Sequence, residues 1–253
     1  MRSYDVIGSI AILKFSPGTK QNEKKKIALK LMNERKNICT VVEKVERVKG
    51  RLRTLKTKFL AGENTKETVH VESGCRFKLD IDKTYFSPRL SGERLEIANK
   101  IKKKDKVLIM FAGVAPYPVI IAKKSNAKIV SVELNRKASE YAQENVLINR
   151  VDVIVIQGDV KKVVPLLSKK TKFDKIVMPR PQLKDSFLDL AFMAVKKNGE
   201  IYYYDFGKEA GKILEKIYKE SKKAKKKIQV LKIKKAGEIA PYKYRFRVDF
   251  RVC

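Results

Sequence analysis

The chain has 253 residues, room for one full α/β core and a smaller module, since typical domains run to about 100–150 residues. Lys and Arg total 59 against 28 Asp and Glu, a formal charge of +31 that calls for a polyanionic partner, and nucleic acid fits best because phosphate electrostatics supply most non-specific affinity. No apolar run approaches the ~20 residues of a membrane span, no secretory leader is recognisable, and Cys39, Cys75, Cys253 and the single His70 are too few and too scattered for a disulfide framework or a Cys/His metal centre, so a cytoplasmic protein without membrane or metal partners is expected.

In chain order, β-branched runs at 6–13, 39–45 and 68–71 predict short strands, and 23–33 has helical length. Between them lies Lys49-Gly50-Arg51-Leu52-Arg53, where strand alternation places Arg51 and Arg53 on one basic face. From Glu93 onward the pattern changes. Strand-like runs at 107–110, 129–132, 153–156, 175–178 and 200–204 alternate with helix-length segments at 117–124, 136–148, 160–167, 183–195 and 208–227. This alternation predicts a parallel sheet covered on both faces. Two last runs, 228–233 and 244–252, read as an antiparallel pair closing one edge. The expected architecture is α/β, a Rossmann-like sheet over residues 83–253 with a small basic α+β domain over 1–82.

The first strand of that sheet runs into Phe111-Ala112-Gly113-Val114-Ala115-Pro116, a small-residue turn that lets backbone approach a ligand. About 20 residues on, the second strand ends at Glu133, placed to accept from a ribose diol. The turn lacks the third glycine of a dinucleotide fingerprint, and Ala115 stands where a second would be, so a phosphate-free nucleoside cofactor fits better. Asp159 follows the third strand, in reach of an adenine amine if it is not merely a helix cap. Together Gly113, Glu133 and Asp159 point to S-adenosyl-L-methionine.

These residues sit within a wider resemblance to the archaeal tRNA (guanine-37-N1)-methyltransferase family. It is carried by Leu60-Ala61-Gly62-Glu63, Tyr85-Phe86-Ser87-Pro88-Arg89-Leu90 with Gly92-Glu93-Arg94, Phe111-Ala112-Gly113-Val114, Ile201-Tyr202-Tyr203-Tyr204 and Ala240-Pro241. The resemblance implies a class I methyltransferase that makes 1-methylguanosine beside the anticodon and binds the anticodon loop and stem of tRNA, as a monomer. It implies Glu93 as general base, Arg53 as its partner across the domains, and Tyr85 near cofactor and target. Tyr117 matches the family's phenylalanine in the cofactor loop, and Glu133 its aspartate. Arg89, Phe111, Leu134, Gly158, Val160 and Pro179 complete the expected cofactor set; Arg51, Arg180, Lys222 and Lys223 are the expected RNA contacts. The resemblance begins at the second module of larger members. It departs from the family at Ile109, at Ala115, and at Pro179-Arg180-Pro181, which replaces Asn-Leu-Pro and removes an amide near the target base.

Guanine N1 is a poor nucleophile until its proton leaves, which a carboxylate in hydrogen-bond reach achieves. Charge then develops on O6, where an arginine donor stabilises the transition state. N1 also lies on the pairing edge, so the base must be taken from a loop or flipped out. Alternatives stay open: a bifunctional enzyme that also C-methylates 4-demethylwyosine, an aminocarboxypropyl transferase of wyosine synthesis, and a non-catalytic tRNA-binding scaffold. Against the aminocarboxypropyl transferase, that relative resembles Ser-Pro-Ala-Asn where this chain has Ser87-Pro88-Arg89-Leu90.

Overall fold

The computed structural model describes residues 4–45, 54–180 and 182–253. The expected strand at 6–13 is two, β1 (Asp5–Ile7) and β2 (Ile10–Leu13). Gly8 makes the turn between them at φ 57°, where a Cβ would fall 2.1 Å from Thr68 Oγ1. Helix α1 (Gln21–Glu34) follows, then β3 (Thr40–Lys44) and β4 (Thr57–Gly62). The sheet order is β1-β2-β3-β4, with β2 and β3 parallel. Its core is Ala11, Leu13, Val41 and Leu60 against Ala28 and Leu31 of α1.

A hairpin of β5 (Glu67–Glu72) and β6 (Cys75–Asp80) comes next. Neither β4 nor β6 is predicted by periodicity. The hairpin is fastened by side chains acting as a surrogate strand. Asn145 Oδ1 accepts from Lys78 N–H at 2.7 Å while its Nδ2 donates to Lys78 O at 3.0 Å, and Asn149 does the same to Arg76 at 2.8 and 2.7 Å. The two asparagines are one helical turn apart and Arg76 and Lys78 two strand residues apart, so both pairs meet along one strand edge.

After a 3₁₀ turn at Pro88–Leu90 and α2 (Ser91–Ala98), strands and helices alternate. The parallel strands are β7 (Lys106–Met110), β8 (Lys128–Glu133), β9 (Val153–Gln157), β10 (Phe173–Met178) and β11 (Val195–Gly207). The helices are α3 (Pro116–Ser125), α4 (Arg136–Ile148), α5 (Val160–Lys170), α6 (Leu188–Ala194) and α7 (Gly211–Lys223). Finally β12 (Ile228–Ala240) and β13 (Lys243–Val252) form the antiparallel edge pair that the alternation predicts. The order is β12-β13-β11-β10-β7-β8-β9, so the chain reverses direction of winding between β7 and β10. Ligands in such sheets bind outside the strand ends at that crevice.

Two helices are shorter than expected, for local reasons. α6 begins at Leu188 rather than 183 because Phe187 is left-handed at φ 59° and Arg180 holds the carbonyls of Leu183 and Asp185 in a loop. α7 stops at Lys223, two residues before Lys225 at φ 53°.

Candidate active site

The β7–α3 turn is built from strained backbone. Phe111, Gly113 and Ala115 have φ of 62°, 59° and 64°, a conformation that costs about 1–2 kcal/mol for each residue bearing a Cβ. Neighbouring bonds hold it: Ala112 N–H donates to Val132 O at 3.0 Å, and Gly113 N–H to Glu133 Oε2 at 2.7 Å. Glu133 Oε1 accepts from Asn135 N–H at 2.7 Å, so one carboxylate ties the two strand tips together. Burial pushes the Glu133 carboxyl above its ordinary pKa, opposed by these backbone donors.

Around this turn lies a cavity of about 400 Å³. Of the residues expected at the cofactor, Arg89, Phe111, Gly113, Glu133, Leu134, Asp159, Val160 and Pro179 line it. Tyr85 lines it too, as does Arg180. The donor set suits a nucleoside with a ribose diol: carboxylates at the tips of β8 and β9, and apolar walls at Phe111, Leu134 and Val160. Asp159 also caps α5, its Oδ1 accepting from Lys161 N–H at 2.9 Å, so the capping reading and the cavity placement both hold. A second cavity, about 310 Å³, faces the small sheet and shares Tyr85, Ser87, Arg89, Glu238 and Ile239 with the first.

Other expectations need correction. Tyr117 does not line the cavity; it is buried inside α3, and its hydroxyl donates to Tyr204 Oη at 3.1 Å. Gly158 is likewise off the wall, its N–H donating to Glu133 O at 2.8 Å to clamp the tips of β8 and β9. Arg180, expected to reach RNA, is 1% exposed. One of its nitrogens donates to Asp205 Oδ1 at 2.6 Å and another to Leu183 O at 2.6 Å, so it is a clamp on the loop after β10. Lys222 and Lys223 end a helix that starts just past the cavity end of β11. Thirteen residues of helix carry them about 20 Å toward the other end of the sheet. Arg51, Arg53 and Pro181 lie outside the described residues.

Glu93 is the most consequential correction. It is 6% exposed and absent from the cavity wall. Its Oε2 accepts from Arg247 at 2.7 Å and from Tyr204 at 3.0 Å, and Lys234 pairs with Oε1. The arginines nearest to it in sequence, Arg89 and Arg94, are bound elsewhere, to Asp5 and Glu72. Glu93 is two side chains behind the cavity: Arg245, on the wall, stacks on Tyr204 at 4.5 Å, and Tyr204 reaches Glu93.

Sequence reasoning missed Arg245, Phe206 and the segment 236–239, all on the wall. The available signal was Ala240-Pro241, which marks the turn joining β12 to β13, close to Arg245 at the start of β13.

Family models place this geometry. The model of the TRM5/TYW2 methyltransferase domain matches residues 68–232, and that of the TYW2 N-terminal domain matches 1–65. The chain belongs to the TRM5/TYW2 methyltransferase family. Similar to it is the tRNA (guanine(37)-N(1))-methyltransferase Trm5b of Pyrococcus abyssi, 35% identical over 99% of this chain and 74% of that protein. The crystal structure of that Trm5b superposes with a TM-score of 0.88. A complex of aTrm5 with tRNALeu, 33% identical over 99% of this chain and 72% of that one, superposes at 0.89. The Nanoarchaeum equitans tRNA (guanine(37)-N(1))/4-demethylwyosine(37)-methyltransferase Taw22 is 32% identical over 98% of both chains. The expected class I fold with its N-terminal α+β part is the fold of this family. No helix among the described residues is long and apolar enough to cross a membrane.

Proposed function

We propose that this chain is an S-adenosylmethionine-dependent tRNA methyltransferase that forms 1-methylguanosine at position 37, beside the anticodon. The observation that carries the reading is the junction of the two cavities at Tyr85, Ser87 and Arg89. One cavity holds the nucleoside-type donor set and the other opens toward the small sheet, so donor and target nucleotide meet at that segment. S-adenosylmethionine, when bound, supplies an electrophilic methyl group. Glu133 accepts from its ribose, Asp159 faces its base, and Phe111, Leu134 and Val160 exclude water.

Tyr85 and Arg89 position the flipped guanine, and Arg53 belongs to the same reading as a cation at its O6. In this reading Glu93 is the final acceptor of the N1 proton: Tyr204 passes its own hydroxyl proton to Glu93 and takes up the proton that N1 loses. The reading includes a monomeric, metal-free, cytoplasmic enzyme whose anticodon stem and loop contacts involve Arg51, Lys222 and Lys223. Residues 1–82 complete the site and 83–253 carry the cofactor, with Asn145 and Asn149 fastening the end of the first unit to the second.

The test is mass spectrometry of nucleosides from unmodified tRNA incubated with enzyme and cofactor. One methyl at guanosine 37 is expected, with Glu93→Gln slower by about 10²–10⁴-fold, the worth of a positioned general base. No methylated guanosine, or an undiminished rate in Glu93→Gln, would overturn the assignment or the role. A second reading, methylation of 4-demethylwyosine as well, is favoured by the match to Taw22 over 98% of both chains and by the loop after β10, where Pro179 and the buried Arg180 bring no side-chain amide to the wall. A methyl added to precursor-bearing tRNA tests it.

A further inference from the structure

Among the described residues, three arginines line the main cavity. Two have carboxylate partners: Arg89 pairs with Asp5 at 2.7 Å and Arg180 with Asp205 at 2.6 Å. Arg245 has none. It is 6% exposed, its Nε has no hydrogen-bond partner, and no described carboxylate or carbonyl takes up its other nitrogens. Its contacts are ring faces, Tyr204 at 4.5 Å and Phe206 at 5.9 Å. A guanidinium stacked this way keeps its in-plane donors free for a forked contact with an oxyanion. A buried cation without a counter-ion is unfavourable, and ring stacking offsets only part of that.

We propose that Arg245 receives an anionic oxygen of the target nucleotide, which rests on reading the chain as a guanosine methyltransferase. Strand order indicates the target rather than the cofactor. Glu133, at the nucleoside end, is on β8, and Arg245 is on β13, four positions away across the sheet on the far side of β7. At about 4.8 Å per strand their backbones are roughly 19 Å apart, and Pro179 and Phe206 line the wall from the strands between. Two sources carry the required charge: the O6 that becomes anionic as N1 loses its proton, and the phosphate of the flipped nucleotide.

The experiment compares wild type, Arg245→Lys and Arg245→Ala in single-turnover methylation of unmodified tRNA. It adds tRNA affinity over a salt series, S-adenosylhomocysteine affinity by calorimetry, and rescue of Arg245→Ala by guanidinium ion. If O6 is the anion, the rate at saturating tRNA falls by about 100-fold or more in Arg245→Ala. Its pH profile then moves alkaline because N1 is harder to deprotonate. If phosphate is the anion, the rate at saturation holds, tRNA affinity falls uniformly and the salt slope drops by about one. Either result, with guanidinium rescue and S-adenosylhomocysteine affinity within about twofold, supports the assignment. Weakened S-adenosylhomocysteine binding with normal tRNA affinity and rate would hand Arg245 to the cofactor and overturn it. Unchanged rate and affinities would also overturn it, as would a loss accompanied by a lowered melting temperature that neither lysine nor guanidinium restores. If wild type itself makes no methylguanosine, the functional reading falls, and the tRNA affinity and salt arm alone decides whether Arg245 meets an anion.

Discussion

Arg247 is 0% exposed and hydrogen-bonds three carboxylates at once: Glu93 at 2.7 Å, Asp249 at 2.7 Å, and Glu96. Arg247→Met keeps much of the stem volume and removes the charge. Breaking one side of a buried pair costs about 3–5 kcal/mol because the other side is left unpaired. Here the cost lies near the lower end, since Lys234 still reaches Glu93 and Glu96, Lys232 reaches Glu96, and Lys100 reaches Asp249. About 3 kcal/mol in a chain of this size corresponds to a melting temperature lower by roughly 6–12 °C. Urea denaturation measures the free energy directly. Adding Glu93→Gln to Arg247→Met should recover part of the loss, because it removes one stranded charge; the double-mutant coupling is the sharper readout. A loss under about 1 kcal/mol, or strictly additive substitutions, would refute the view that this network holds α2 on the sheet. The hydrogen bond from Arg247 holds the Glu96 carboxyl well below the usual range, so wild type carries stability above the ordinary Glu pKa that disappears as pH falls through the depressed value. Arg247→Met should lack much of that acid-dependent contribution.

Asn145→Leu strands Lys78 N–H and Lys78 and Val114 carbonyls; a loss of about 2–4 kcal/mol in urea denaturation is expected from unpaired buried groups. Glu133→Gln should weaken S-adenosylhomocysteine binding by about 10–100-fold in calorimetry, because an amide cannot accept at both oxygens and the charge-assisted bond to Gly113 is worth about 1.5–3 kcal/mol. Because burial raises the Glu133 pKa, wild-type cofactor affinity should begin to fall at a higher pH than an ordinary Glu would allow, and Glu133→Gln should flatten that limb. Burial lowers the His70 pKa, with Glu72 and Arg94 facing it, and the neutral ring accepts Gly8 N–H at Nδ1. Stability should therefore be full above the unfolded value near 6.5 and decline as pH falls below it; thermal melts of His70→Asn, which lacks that limb, check it.

The parallel sheet is legible because its strands are short β-branched runs and its helices have their own period; α4 spans the predicted 136–148. What escapes is structure specified by other parts of the molecule. β6 is Cys-Arg-Phe-Lys-Leu-Asp, an ordinary alternating run, and it holds its place through asparagines 67–73 residues away. The start of α6 depends on an arginine whose partners are loop carbonyls and Asp205, none of which a helical period encodes.

The site divides in the same way. At the strand tips, position alone predicts which residues face the crevice, and Gly113, Glu133 and Asp159 all line the cavity. The placement of Glu93 behind the wall is not legible in the sequence, because it rests on charge against charge. In β13, Arg245, Arg247 and Asp249 alternate with Phe246, Val248 and Phe250. That pattern ordinarily means one solvent face and one core face. Here both faces are buried. α2 covers the charged one, bringing Glu93 and Glu96 onto Arg247. The same covering explains why Glu93 lies behind the wall instead of on it. A carboxylate held by Arg247, Lys234 and Tyr204 is fixed in place, with Tyr204 between it and the wall residue Arg245. Arg245 occupies that front position without a carboxylate partner among the described residues, so the anion proposed for it would sit beside Tyr204, the side chain that separates Glu93 from the wall.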